Sequence, residues 1–179
     1  LATGYKMKLS VPTLTIYQNL LNVTSLGPRK PAIFFEGKTI TYRGLCTLVP
    51  RMSQAIKDAG VKEGDTITLL SPNTPEAVAC FYSASQLGLK ISLLHPLSKE
   101  AKILEDKELT KSKLLIISSI LLCSLPALVE TGIPMLAIEV KDSLPSFKKT
   151  FYNFSVKNDN FPFAKHKEVI RFSKCRKKC

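Results

Sequence analysis

The spacing of apolar residues along the chain changes period several times, and each change marks an element. Ala32-Ile33-Phe34-Phe35 and Thr39-Ile40-Thr41-Tyr42 flank Glu36-Gly37-Lys38, which reads as a hairpin over Pro31 to Tyr42 with Gly37 supplying the turn. From Tyr42 the period lengthens. Tyr42, Leu45, Val49, Met52, Ile56 and Ala59 recur every three or four residues, forming one apolar helix face that Gly60 ends. Thr66 to Leu70 predicts a strand, broken by Ser71-Pro72-Asn73. Thr74-Pro75-Glu76 then has the marks of a helix start: a capping hydroxyl, proline at the first helical position, and a carboxylate against the helix dipole. The helix over Ala77 to Leu87 is apolar nearly all round and therefore buried on several sides, and Gly88 ends it. Ile91 to Leu94 predicts a strand, Ser98 to Leu109 a charged surface helix, Leu114 to Ile117 a strand, Leu121 to Val129 a helix, and Met135 to Ile138 a last strand.

Four short apolar strands separated by helices predict an α/β, Rossmann-like parallel sheet with helices on both faces, preceded by the β-hairpin. Beyond Phe154 neither period is visible. The predicted organisation is a folded unit over residues 13–154 and a basic, disordered tail over 155–179.

Charge refines that division. The formal net charge is +12, and the segment from Lys165 to Cys179 holds seven Lys/Arg against Glu168, so half of the excess belongs to the tail. A solvated end is the expected role of such a run. Its lysines would bind polyanions through counterion release without sequence preference, and no specific nucleic acid is expected. The five cysteines, at 46, 80, 123, 175 and 179, form no even, closely spaced framework. A reducing, cytoplasmic location is expected. The opening residues, Leu1-Ala2-Thr3-Gly4-Tyr5-Lys6, contain neither an apolar signal core nor an initiating Met, as in an internal or incomplete product. Asn22-Val23-Thr24 and Asn153-Phe154-Ser155 match the glycosylation triplet, a pattern that also arises by chance. Leu114 to Val129 runs 16 residues without a charge but includes Ser118, Ser119, Ser124 and Pro126. A spanning helix needs about 20 apolar residues, so this run is expected to be a buried strand leading into a short helix, and no transmembrane segment is expected.

Four motifs then stand in order over about 60 residues. Lys38-Thr39-Ile40-Thr41-Tyr42-Arg43-Gly44-Leu45 resembles the opening strand and Thr-Tyr-x-Glu-Leu of adenylate-forming enzymes. Gly60-Val61-Lys62-Glu63-Gly64-Asp65-Thr66-Ile67 resembles their Gly-Val-x-x-Gly-Asp-x-Val step into the first central strand. Ser71-Pro72-Asn73-Thr74-Pro75-Glu76 is similar to their Pro-Asn-x-Pro-Glu helix start. Leu87-Gly88, followed by Leu94-His95-Pro96-Leu97-Ser98, resembles the Ala-Gly … Asn-Pro stretch that follows. The resemblance runs from about Thr13 to Phe154 and identifies the N-terminal portion of an AMP-binding acyl-CoA synthetase, a partial subdomain of the adenylate-forming fold. It implies activation of a carboxylic acid by ATP and magnesium and transfer to coenzyme A, fatty acid metabolism included, by a full-length enzyme. Two departures stand out. Gly44 replaces the glutamate that would complete a capping box with Thr41. Pro50 falls inside the first helix, where proline costs on the order of 3 kcal/mol.

A triphosphate needs a cradle of backbone N–H groups, normally built from clustered glycines beside Ser or Thr. The eight glycines lie at 4, 27, 37, 44, 60, 64, 88 and 132, with no two within three residues of one another. Neither Gly-x-x-x-x-Gly-Lys nor Gly-x-Gly occurs. The resemblance places the family's phosphate loop, acidic magnesium ligand and catalytic lysine downstream of Cys179. No catalytic, cofactor-binding or metal residue is therefore assigned, and the chain alone is expected to be inactive. The alternative is a non-catalytic binding or interaction module built on the same fold. His95, at the end of a strand, could line a pocket, although a loop histidine with a structural hydrogen bond is the plainer expectation. Cys175-x-x-x-Cys179 with His166 offers three ligands where a structural zinc site needs four.

Overall fold

A computed structural model describes residues 13–145, 148, 161–163, 166 and 169–175. Helix α1 (Ile16–Leu26) opens the described chain. It begins with a reciprocal capping box: the Gln18 N–H donates to Thr15 Oγ1 at 3.1 Å and the Thr15 N–H donates to Gln18 Oε1 at 2.8 Å. Sequence reading missed this helix, although Thr15-x-x-Gln18 was its signal. Strands β1 (Pro31–Phe35) and β2 (Lys38–Thr41) form the expected antiparallel hairpin. Its turn is tighter than the three residues anticipated. Phe35 pairs with Lys38, and both Glu36 (φ 51°) and Gly37 (φ 85°) adopt the positive φ that a two-residue turn requires.

Helix α2 (Tyr42–Asp58) follows as predicted, with Leu45, Val49, Met52 and Ile56 buried. Half of the capping box survives, since the Gly44 N–H still reaches Thr41 Oγ1 at 3.2 Å. Pro50 lies inside the helix with its ring exposed. The main sheet contains β3 (Thr66–Leu70), β4 (Lys90–Leu94), β5 (Leu114–Ser118), β6 (Met135–Ile138) and β7 (Val169–Arg171). All its pairings are parallel, in the order β4-β3-β5-β6-β7. Helices α3 (Pro75–Leu87) and α4 (Glu100–Thr110) connect the first three strands.

Both faces are covered, which explains why the strands read as continuous apolar runs. Ile67, Leu114, Ile116, Leu136 and Ile138 pack with α1, α2 and α3. Leu70, Leu115, Ile117, Met135 and Ala137 face the opposite way, toward Ile103 of α4 and Leu122 and Leu128. Asp106 of α4 clamps its helix to the sheet, accepting from Thr68 Oγ1 at 3.1 Å and Ser92 Oγ at 2.8 Å.

Two expectations require correction. The segment from Leu121 to Val129 is not one helix but two, α5 (Ser119–Ser124) and α6 (Pro126–Glu130), separated at Leu125 because a proline cannot donate to the preceding turn. Among the described residues no helix is long and apolar enough to cross a membrane. The second correction concerns the basic end. Residues 169–171 form a fifth sheet strand, with Val169 opposite Met135 and Ile170 opposite Leu136, followed by a 3-10 turn over Phe172–Lys174. Val169 and Phe172 are buried. Their neighbouring charges are accommodated at the surface of that core: the Arg171 guanidinium lies 3.9 Å from the Phe163 ring centre and that of Arg51 lies 4.6 Å from Phe172. Residues 155–160, 176–179 and the second glycosylation triplet lie outside the described residues.

Candidate functional site at the carboxyl edge of the sheet

The motif from Gly60 to Ile67 shapes the entry to β3. Gly60 (φ 84°) and Gly64 (φ 83°) take left-handed conformations. The Gly64 N–H donates to Gly88 O at 3.0 Å, the Lys62 N–H to Asp65 Oδ2 at 2.8 Å, and the Lys90 N–H to Asp65 O at 2.9 Å. These bonds bring the starts of β3 and β4 together. At Gly88 (φ 65°) a side chain would be strained, and its Cβ would stand 2.9 Å from Glu63 Cγ, so that Glu63 would have to shift.

At the other end of β3, Ser71-Pro72-Asn73 turns the chain into α3. Thr74 Oγ1 accepts the Ala77 N–H at 3.2 Å and Thr74 O accepts that of Val78 at 3.1 Å. Pro75, at the first helical position, has no N–H to offer. The Glu76 side chain is buried, and Ser143, beyond β6, donates its hydroxyl to Glu76 Oε1 at 2.5 Å. The start of α3 is thereby fastened to the loop after β6.

A cleft of about 600 Å³ opens beside this turn, between the carboxyl ends of β3 and β4 and the flank of α3. Phe81, Tyr82, Leu93 and Pro96 form much of its wall, and Ser71, Asn73 and His95 are its polar residues. The strand order reverses between β3 and β5, where open α/β sheets commonly bind ligands; the cleft lies on the β4 side of β3 instead. His95 meets both expectations formed from sequence. It lines the cleft, and its Nδ1 accepts the Leu97 N–H at 3.1 Å.

A smaller recess of about 390 Å³ lies between β2, α2 and the turn after β7. Arg51 enters it, donating from Nη2 to Phe172 O at 3.3 Å and Ser173 O at 3.4 Å, while its buried Nε has no recorded partner. Nearby, Glu139 is 4% exposed. Burial pushes its carboxyl upward. The Ser173 hydroxyl at 2.7 Å, the Lys141 ammonium at 2.9 Å and the Arg171 charge outweigh that effect and hold it below the usual carboxylate value. Neither Arg51 nor Glu139 was singled out from sequence, because Phe172 and Ser173, which Arg51 reaches, and Ser173 and Arg171, beside Glu139, lie in the segment read as a tail. Ser118, fully buried at the end of β5, has a hydroxyl with no recorded partner. His166 lies in the described part and Cys179 outside it. Among the described residues no cluster of three metal-ligating side chains occurs.

Residues 23–169 match the family model of the AMP-binding enzymes. The chain belongs to that family. It is 25% identical over 175 residues to a long-chain-fatty-acid–CoA ligase of Bacillus subtilis, covering 95% of this chain and 31% of the relative. It is 40% identical over 67 residues to an acetyl-coenzyme A synthetase of Emericella nidulans, covering 34% of this chain and 10% of that protein. Among solved structures, the coronafacic acid ligase from Pectobacterium brasiliense shares the fold at a TM-score of 0.66 and 17% identity, over 70% of this chain and 26% of that one. The chain thus spans less than a third of the length of these relatives. The family motifs recognised in the sequence occupy the hairpin, the entry to β3, the start of α3 and the end of β4, and in this structure they shape loops and helix ends.

Proposed function

We propose that this chain supplies the first α/β layer of an ATP-dependent, AMP-forming carboxylic acid–CoA ligase and forms no acyl-adenylate by itself. The match to the AMP-binding family over residues 23–169 carries this reading. Long-chain fatty acids are the first acids to test, because the Bacillus subtilis relative aligned over 95% of the chain bears that name. Magnesium, ATP and coenzyme A would be required by the ligase as a whole. The spread of the glycines and the closed start of α3 support inactivity of these residues alone. The four cysteines described, Cys46, Cys80, Cys123 and Cys175, are free thiols, which supports a reducing, cytoplasmic setting.

A second reading, a non-catalytic binding module of the same fold, draws support from the cleft beside α3. The claim that the chain is inactive alone is tested by ATP–pyrophosphate exchange on the purified 179-residue chain with magnesium and a panel of fatty, acetic and aromatic acids. The expected result is no exchange above buffer. Magnesium-dependent exchange with any of these acids would overturn the claim of inactivity.

A further inference from the structure

We propose that the cleft between β3, β4 and α3 binds an uncharged aromatic molecule carrying one hydrogen-bond acceptor. The inference stands on the lining of the cleft and is independent of the ligase reading. Its volume, about 600 Å³, lies within the range of small-molecule pockets, which are mostly apolar with a few placed polar groups. Phe81 and Tyr82 meet edge to face, their ring centres 6.3 Å apart and their planes at 80°. Across from them, Leu93 is 60% exposed in a strand whose outer edge no described strand covers. Apolar side chains therefore stand on both sides of an unfilled space.

Electrostatics narrows the choice. None of the described residues lining the cleft is Asp, Glu, Lys or Arg. A helix N-terminus can compensate an anion, but Thr74 already takes the Ala77 and Val78 N–H groups, Pro75 has none, and Glu76 adds negative charge in the first turn. A phosphate or carboxylate entering here would lose its hydration without a counter-charge. Of the polar residues in the lining, His95 and the Asn73 amide can each donate a hydrogen bond. Because His95 Nδ1 accepts the Leu97 N–H, the neutral ring carries its hydrogen on Nε2. Ser71 is engaged with Pro72 O at 2.9 Å. A flat ring with a ketone or ether oxygen uses the walls and the imidazole donor together.

The chain has no tryptophan, so a neutral naphthyl ketone dye, 6-propionyl-2-dimethylaminonaphthalene, can be titrated without background from the protein. The expected result is saturable, blue-shifted emission at one site per chain. Leu93→Lys and Phe81→Ala, both at partly exposed positions, should each weaken binding by about tenfold. His95→Ala should weaken the ketone but leave 2-dimethylaminonaphthalene, which lacks the oxygen, unchanged. Phe34→Lys, on the hairpin at 77% exposure, should change nothing. Circular dichroism verifies that each variant folds. No saturable binding, equal losses with Phe34→Lys, or an anionic naphthalene sulfonate that binds as tightly as the ketone would each overturn the proposal.

Discussion

Replacing Pro50 with alanine should stabilise the protein. Pro50 is the ninth residue of the 17-residue helix α2, and its ring is exposed while Val49, Met52 and Ser53 on either side are buried. Proline there leaves the Cys46 carbonyl without its i+4 donor and crowds it, which costs about 3 kcal/mol relative to alanine in a helix interior. Losing the ring also frees the unfolded chain, which offsets roughly 0.4–1 kcal/mol of the gain. No buried contact is lost, so the net effect is about 2 kcal/mol. For a chain of this size that corresponds to a rise in Tm of about 4–8 °C. The assay is thermal and urea unfolding followed by circular dichroism. The urea midpoint should rise with an unchanged slope, showing that the effect is on stability and not on compactness. Thr47→Ala, at another exposed position of α2, is the control and should gain no more than about 0.7 kcal/mol. An unchanged or lower midpoint for Pro50→Ala would refute the reasoning. It would mean that the local shape imposed by proline is needed to seat Val49 and Met52 against α3 and the sheet.

Two further outcomes follow from buried groups. Burial raises the Cys80 thiol to about 12, so at pH near 8 it holds almost no thiolate and should be the slowest cysteine to react with a maleimide; peptide mapping that finds Cys80 labelled as fast as Cys46 would contradict the fold. Glu139 is held below the ordinary glutamate value of 4.5, so it adds stability above that value and loses it as pH falls through its own depressed pKa. Glu139→Gln should therefore lower the urea midpoint most near neutrality, with the difference from wild type shrinking below pH 4.5. A difference that stays constant with pH would show that the carboxylate charge is not what Ser173 and Lys141 hold.

The central strands were legible because helices cover the sheet on both faces, leaving β3, β5 and β6 as apolar runs bounded by turn residues. Thr74-Pro75 gave the start of α3 to the residue, since capping is a local interaction. Helix α1 was missed for a physical reason. Of its apolar residues only Leu20 is buried, while Leu26 is 86% exposed, so no single stripe marks an inner face. Strand β7 was hidden because three residues are too few to show a period, and the surrounding lysines and arginines dominated the composition. The cleft was half visible. His95 could be placed at a strand end, but which residues oppose it depends on how α3 crosses β3 and β4. The pairing of Arg51 with Phe172, 121 positions apart, is a tertiary fact with no local trace.

The geometry of α3 bears on where a nucleotide could be held by an enzyme of this family. Parallel α/β sheets usually offer phosphate the first turn of a helix at the carboxyl edge, where unpaired N–H groups and the dipole act together. In this chain the helix after β3 starts with a threonine cap, a proline and a buried glutamate that Ser143 ties to the loop after β6. The helix after β5 is only six residues long, and its capping residue Ser118 makes no cap bond. The turn that makes this family motif recognisable closes α3 and joins it to the loop after β6. The first turn of α3, closed by its cap, its proline and its buried glutamate, therefore offers an anion little.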